Sequence, residues 1–358
     1  MKLVVFGLSV SSSWGNGHAT LWRGLIKALG ALGHSVVFFE RDVPYYAAHR
    51  DLSELRGGRL VLYPDWDSVV GVARAELAEA DVAVVTSYCP DGVAATREVL
   101  DATVELRVFY DLDTPVTLER LRAGASVPYI GPRGLADFDL VLSYTGGTAL
   151  EALGDLLGAR RVAPLYGSVD PDVHYPVAPI ERYRADLSYL GTYAEDRQES
   201  LLELLVEPAR RLPTRRFVIA GAKYPVEFPW ADNIYFVCHL PPAEHSAFYS
   251  SSRLTLNVTR GPMAELGYCP SGRLFEAAAC GAPVLSDAWP GLDEFFTPGE
   301  EILVAATRDD SVAATGMADT ELERIGRAAR DRALADHTAG RRASELIALF
   351  EGAVSVGT

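Results

Sequence analysis

The stretch 271–287, SGRLFEAAACGAPVLSD, combines residue types and spacing suited to holding an anion. It reads as a loop, a short helix opened by Ser271, Gly272 and Arg273, a stop at Gly281 and a buried strand over 283–286. A helix N-terminus leaves backbone N–H groups free and carries partial positive charge, so it accepts a phosphate. Arg273 in the first turn adds a cation that pairs with phosphate bidentately. Glu276, nearly one turn on, is placed to accept a hydroxyl from the same ligand. A phosphate grip beside a sugar-hydroxyl acceptor implies a nucleotide or nucleotide-sugar site. The alternative is an ordinary crossover helix with both side chains solvated.

Three further constellations stand at the ends of apolar runs. In SSSWGNGH (11–18), Gly15 and Gly17 let backbone approach a ligand, with Trp14 and Asn16 beside them. His18 opens the following helix, as a general base, a hydrogen-bonding clamp or only a cap. Gly15 and Gly17 with Glu40 also resemble a dinucleotide fingerprint. Thr20 replaces its third glycine, however, and Leu8 to Trp14 intervene where that turn should follow its strand at once. In YDLDTP (110–115), strand period would point Asp111 and Asp113 the same way, as a base or hydroxyl-holding pair, or as turn residues. In the second half, Gly191 and Thr192 end a strand, Arg197 opens a helix and Arg260 lies just past another strand. Arg197, Arg260 and Arg273 are expected to converge on one diphosphate, with Asp287, Trp289 and Gly291 bordering the sugar.

These residues need a scaffold of strand ends and helix starts, and the chain supplies one. Short β-branched runs alternate with amphipathic stretches through the first half, as in KLVVFGL, HSVVFFE, VAVVTSY and DLVLSY. That alternation predicts an α/β chain with a doubly wound, mostly parallel sheet. GSVDPDVHYPVAPIERYRA (167–185) breaks the pattern with three prolines, after which the alternation restarts. The expected organisation is a Rossmann-like domain over 1–168, a linker over 169–186, a second Rossmann-like domain over 187–335 and a C-terminal helix over 336–358 that crosses back. Ligands of such sheets bind beyond the strands' carboxyl ends, here expected in an interdomain cleft.

Composition narrows the partners. At 358 residues, with 49% hydrophobic and 23% charged residues, the chain has material for two packed cores. A net charge of −15 disfavours nucleic acid and anionic membrane as partners. The four cysteines show no metal-ligand spacing, so neither structural zinc nor a disulfide framework is expected. Leu3 to Val10 is short and reads as a strand rather than a leader, and no run spans a bilayer, which places the protein in the cytoplasm.

SSSWGNGHATLWRGL, FYDLDTPVTL, LSYLGTYAEDRQ, LNVTRGPMAELGYCPSGRLFEAAACGAPVLSD and FFTPGEEILV together resemble the two-Rossmann (GT-B) glycosyltransferases. The similarity is greatest to the CgeB-like spore-maturation group within glycosyltransferase group 1. It implies a nucleoside-diphosphate-sugar donor held by the C-terminal half and an acceptor held by the N-terminal half. It also implies no cofactor and no metal, because basic residues and a helix N-terminus carry the departing diphosphate. Related retaining enzymes have two glutamates separated by seven residues; Glu276 matches the second, which contacts the donor ribose, but Tyr268 stands at the first. Retention of configuration is therefore not implied. A sugar-nucleotide epimerase or hydrolase of the same fold, or a nucleotide-sugar binder without catalysis, are the alternatives.

Overall fold

A computed structural model describes residues 1–357, with side chains in the last helix up to Ser355. The apolar β-branched runs of the first half pair as a seven-stranded parallel sheet. Its strands are β1 (Lys2–Gly7), β2 (Ser35–Arg41), β3 (Gly58–Tyr63), β4 (Val82–Thr86), β5 (Leu106–Asp111), β6 (Leu140–Ser143) and β7 (Val162–Pro164). They lie in the order β3-β2-β1-β4-β5-β6-β7. A second sheet holds β8 (Leu187–Leu190), β9 (Phe217–Gly221), β10 (Ile234–Cys238), β11 (Thr255–Asn257), β12 (Val284–Asp287) and β13 (Leu303–Ala305). Its order is β10-β9-β8-β11-β12-β13, again parallel. Parallel pairing demands crossovers and covers both faces, which is why these strands read as continuous apolar runs.

Each sheet reverses direction of winding once, between β1 and β4 in the first and between β8 and β11 in the second. At such a switch point adjacent loops leave in opposite directions and open a crevice at the strands' carboxyl ends. The segments singled out in the sequence leave from β1, β5, β8 and β11, so each sheet presents them at or beside its own switch point.

The contacts divide the chain into two units. One takes in Met1–Tyr166 and the chain from Ala339 on; the other is Gly167–Thr338. Helix Ala339–Gly357 packs against helix Gly17–Ala31, putting Ala343, Leu346 and Phe350 in one core with Trp22, Leu25 and Leu29. Arg161 adds a hydrogen bond from Nη2 to the Gly352 carbonyl (2.8 Å). This helix starts at Ala339 rather than 336, because helix Asp319–Asp336 runs through to that point.

Two expectations need correction. The proline-rich segment expected as a linker over 169–186 is packed onto the second unit. Ser246 Oγ donates to the Val173 carbonyl (2.9 Å), Ser251 Oγ accepts from the Ile180 amide (2.8 Å), and Ala185 bridges to Ser252. Its prolines remove donors, and serine hydroxyls on the neighbouring helix Pro242–Ser250 and at its end accept from the amides of Tyr175, Val177 and Ile180. The helix expected to open at Arg197 is not uniform either. A 3₁₀ turn at Glu195–Arg197 leads into Gln198–Leu201, a wide π turn over Leu202–Val206 and then Glu207–Arg211. Pro208 has no N–H to donate to the preceding turn, and the ladder widens just before it.

Candidate active site

In the first unit the loop after β1 is organised by a buried acid. Glu40, at the end of β2 and fully buried, accepts from Ser9 Oγ (2.8 Å), Ser11 Oγ (2.6 Å) and the amides of Val10 (2.8 Å) and Ser11 (2.9 Å). All of these partners belong to the protein, so Glu40 shapes the loop and the dinucleotide alternative loses its ribose acceptor. Asn16 is likewise structural. Its Oδ1 caps helix Gly17–Ala31 through the His18 amide (3.1 Å), while Nδ2 donates to the carbonyls of Ser9 (3.0 Å) and Ser12 (3.1 Å). Trp14 stacks on His49, with ring centroids 4.2 Å apart and planes 16° apart. Gly15 takes the left-handed φ of +59° that lets the chain turn into the helix at Gly17.

This frame delivers His18 to Asp113. His18 Nε2 lies 2.9 Å from Asp113 Oδ2, the two side chains 15% and 20% exposed, and the His18 ring meets Tyr88 edge-on at 6.0 Å. With the Nε2 proton directed at the carboxylate, Nδ1 keeps the lone pair; this nitrogen is buried and has no hydrogen-bond partner, so a hydroxyl reaches it only after the ring turns. A base oriented by a carboxylate is the arrangement that removes a proton from a hydroxyl. Asp111 and Asp113 do not point the same way. β5 ends at Asp111, and Asp113 already has helix-entry geometry (φ −134°, ψ 47°), so the alternation of a strand does not apply. Asp111 is buried and accepts from the Asp113 amide (3.1 Å). Burial pushes its carboxyl up to about 6, against the opposing pull of the Thr117 hydroxyl and the Asp113 amide.

In the second unit the strand ends meet around Arg273. Its Nη1 donates to the Leu190 carbonyl (2.6 Å), Nη2 to the Val258 carbonyl (3.1 Å) and Nε to Ser271 Oγ (3.0 Å), and its guanidinium lies over the Tyr189 ring at 5.3 Å. The expected bidentate grip on phosphate is therefore not preformed: most of this fork ties β8 to the end of β11, leaving two of five N–H groups. Ser271 spends its hydroxyl on Arg273 and makes no side-chain cap, so the first turn of helix Gly272–Ala279 keeps its N–H groups without a side-chain acceptor.

Arg197 stands within electrostatic reach of Arg273 and makes no ion pair among the described residues. Its Nη2 donates to the Thr192 carbonyl (2.5 Å), and its Nε is buried and unpartnered. Burial holds this guanidinium below its ordinary value, and Arg273 adds to the effect. Arg260, expected to complete the trio, is neutralised instead by Asp196 (Nε to Oδ2, 2.8 Å). The excess positive charge is thus carried by Arg197, Arg273 and the helix N-terminus. Gly191 leaves them room: a Cβ there would lie 2.6 Å from the Tyr189 hydroxyl and 3.0 Å from Arg273 Nη1. Asp287, expected near a sugar, accepts instead from the Thr259 amide and hydroxyl (both 2.9 Å).

Glu276 is nine-tenths buried and faces two histidines that sequence spacing did not single out. His174 Nε2 lies 4.0 Å from Oε1 and His245 Nδ1 3.6 Å from Oε2. Burial works to raise the Glu276 carboxyl, but His174, His245 and Arg273 outweigh it and hold it at about 2. The two histidines went unseen because one lies in the proline-rich segment and the other in a helix with no apolar periodicity to mark its faces. Tyr268 adopts a left-handed φ of +48°, and its ring sits where a Cβ on Gly291 would lie 2.4 Å away.

Residues 197–348 match a protein-family model described as glycosyl transferase-like. No curated protein matches the chain. Among solved structures, it is similar to sucrose-phosphate synthase from Thermosynechococcus elongatus (TM-score 0.70, 15% identity), covering 99% of this chain and 100% of that one. It is also similar to Anabaena HepE in complex with UDP and glucose (TM-score 0.69, 14% identity; 98% and 100% of the two chains). A third similar structure is an alpha-glucosyltransferase in complex with UDP and a mismatched DNA (TM-score 0.66, 11% identity; 98% and 99%). Two parallel α/β sheets, each with its polar residues at a switch point, and these structural matches together establish the GT-B fold, with the glycosyl transferase-like family match lying over residues 197–348.

Proposed function

We propose that this protein transfers a sugar, of hexosyl type, from a nucleoside diphosphate to an acceptor hydroxyl. The observation that carries this is the concentration of positive charge at the switch point of the second sheet, where Arg197, Arg273 and the start of helix Gly272–Ala279 adjoin Gly191 and Thr192. Such a site stabilises the charge that develops on a departing diphosphate, without a metal bridging the phosphates. In this reading Glu276 accepts a ribose hydroxyl, and UDP is the first donor nucleotide to test, since structural neighbours were solved with UDP and UDP-glucose bound. The first unit handles the acceptor. His18, oriented by Asp113, takes the hydroxyl proton as the acceptor oxygen bonds to the anomeric carbon and the bond from that carbon to the diphosphate oxygen breaks.

Membership of the CgeB-like group, a cytoplasmic setting and partners other than nucleic acid are parts of the same proposal. They are supported by the motif set, by the absence among the described residues of a helix long and apolar enough to cross a membrane, and by the net charge of −15. Tyr268 favours a second reading, a nucleotide-sugar binder without transfer. Calorimetric titration with UDP, GDP, dTDP and ADP in chelator, followed by diphosphate release from the matching sugar nucleotides, separates the two. Selective binding with acceptor-dependent release supports transfer, binding without release supports the second reading, and no binding overturns both.

A further inference from the structure

We propose that His174, His245 and Glu276 form a site for one first-row divalent cation of the zinc type. Their ligand atoms lie within 4.8 Å of one another, and they are the metal-capable cluster of three found among the described residues. His174 comes from the proline-rich segment, His245 from helix Pro242–Ser250 and Glu276 from helix Gly272–Ala279. Three separate pieces of chain thus converge on one buried point. Two imidazoles and one carboxylate are the ligand types that zinc takes in three-ligand sites, leaving a further position to water or a hydroxyl.

His245 Nε2 lies 3.3 Å from the Leu240 carbonyl, which can only accept, so the ring proton belongs on Nε2. In the neutral ring Nδ1 then points a lone pair at a carboxylate 3.6 Å away, an acceptor–acceptor contact that either a proton or a cation at Nδ1 relieves. A ligating histidine whose other N–H is held by a backbone carbonyl has the outer-shell arrangement typical of zinc ligands. His174 is 4% exposed, and neither of its ring nitrogens has a hydrogen-bond partner. The Tyr249 hydroxyl, buried beside His245, is unpartnered as well. Buried polar atoms left in this state cost stability, and a cation placed among them satisfies both imidazoles and the carboxylate together.

The ligand atoms must draw together by roughly half an ångström to one ångström to reach metal–ligand bonds of about 2.0–2.2 Å. Rotation of the two rings about their side-chain torsions supplies a movement of that size. A carboxylate has about four lone-pair sites, so Glu276 can ligate a cation and still accept a hydroxyl. The site shares Glu276 with the proposed ribose contact, but retention of the metal does not depend on the transfer reading. It departs from the metal-free expectation because residues so far apart in sequence carry no recognisable ligand spacing.

The test is metal retention by the full-length protein. Chelator-treated protein is dialysed against Zn²⁺ or Co²⁺, and bound metal is measured by elemental analysis, with visible absorption for Co²⁺. The expected result is one equivalent per chain, a visible Co²⁺ spectrum of low coordination number, and a Zn²⁺-dependent rise in Tm. His245→Ala and Glu276→Gln should each weaken binding at least tenfold, while His49→Ala retains the equivalent. Absence of retained metal in the wild type overturns the proposal and leaves a protonated His245 paired with Glu276; so does full retention in His245→Ala and Glu276→Gln. The wild-type arm holds even if a variant fails to fold. UDP titration of the same chelator-treated protein reports on the transfer reading separately.

Discussion

His18 and Asp113 illustrate what a single hydrogen bond decides. Their 2.9 Å contact assigns the imidazole a direction and leaves the buried Nδ1 as its basic atom. Replacing His18 with Ala should lower kcat by about 10²–10⁴-fold and leave the Kd for UDP unchanged. Asp113→Asn should move the same two quantities in the same directions, less strongly, and a changed UDP affinity in titration would count against the division of roles. On the donor side, Arg197→Ala should weaken UDP binding about tenfold or more, the worth of a charged hydrogen bond. Arg260→Ala should cost little, because Asp196 already neutralises that side chain. Asp111 supplies a pH signature. Its folded value of about 6 lies above its ordinary value of 3.8, so the native fold favours the protonated form. Its ionisation therefore costs stability progressively as pH rises from about 4 through 6, and the full cost applies above that. Asp111→Asn removes this penalty. Urea midpoints of variant and wild type should shift in the variant's favour between pH 4.5 and pH 8, and parallel midpoints would contradict the assignment.

At the scale of elements, the site is made by where strands stop. β5 ends at Asp111, so Asp113 turns toward His18 rather than following its neighbour. β8 and β9 end side by side, where Gly221 has φ +155° and a Cβ would lie 2.0 Å from the Gly191 carbonyl oxygen. Gly221→Ala should therefore force the two strand ends apart. The expected outcome is a Tm lower by several degrees together with weakened UDP binding, read by differential scanning calorimetry and titration. The elements were largely legible in sequence: the alternation of runs such as KLVVFGL and HSVVFFE located strands, and the helices expected to open at His18 and at Ser271–Arg273 begin at Gly17 and Gly272. Less legible were the π turn before Pro208 and the packed course of 169–186, which depend on neighbouring helices and not on local pattern.

At the scale of the whole molecule, the chain is not two consecutive beads. Its last helix completes the core of the unit that was begun first, with Leu346 and Phe350 buried beside Trp22 and Leu29. Truncation after residue 338 removes that packing, on the order of 5 kcal/mol from the two large side chains alone. The truncated protein should lose cooperative unfolding of 1–166 and expose it to proteolysis, while 167–338 stays resistant. Equal resistance of both units, read by limited proteolysis and mass spectrometry, would show the helix to be dispensable.

The fold class, the restart of the α/β pattern after the proline-rich segment and the loops that carry polar chemistry are all readable from the chain alone, because each follows from local periodicity, turn residues and helix entry. The sequence also marked Arg197, Arg273, Glu276, His18 and Asp113 by their positions after strands. Their partners follow from the packing of the folded chain. Arg273 is committed to carbonyls at two strand ends, Arg260 to Asp196, Glu40 and Asn16 to holding a loop, and Glu276 to a place between His174 and His245. Those pairings join residues distant in sequence. They depend on strand order and burial, quantities that a one-dimensional pattern does not contain.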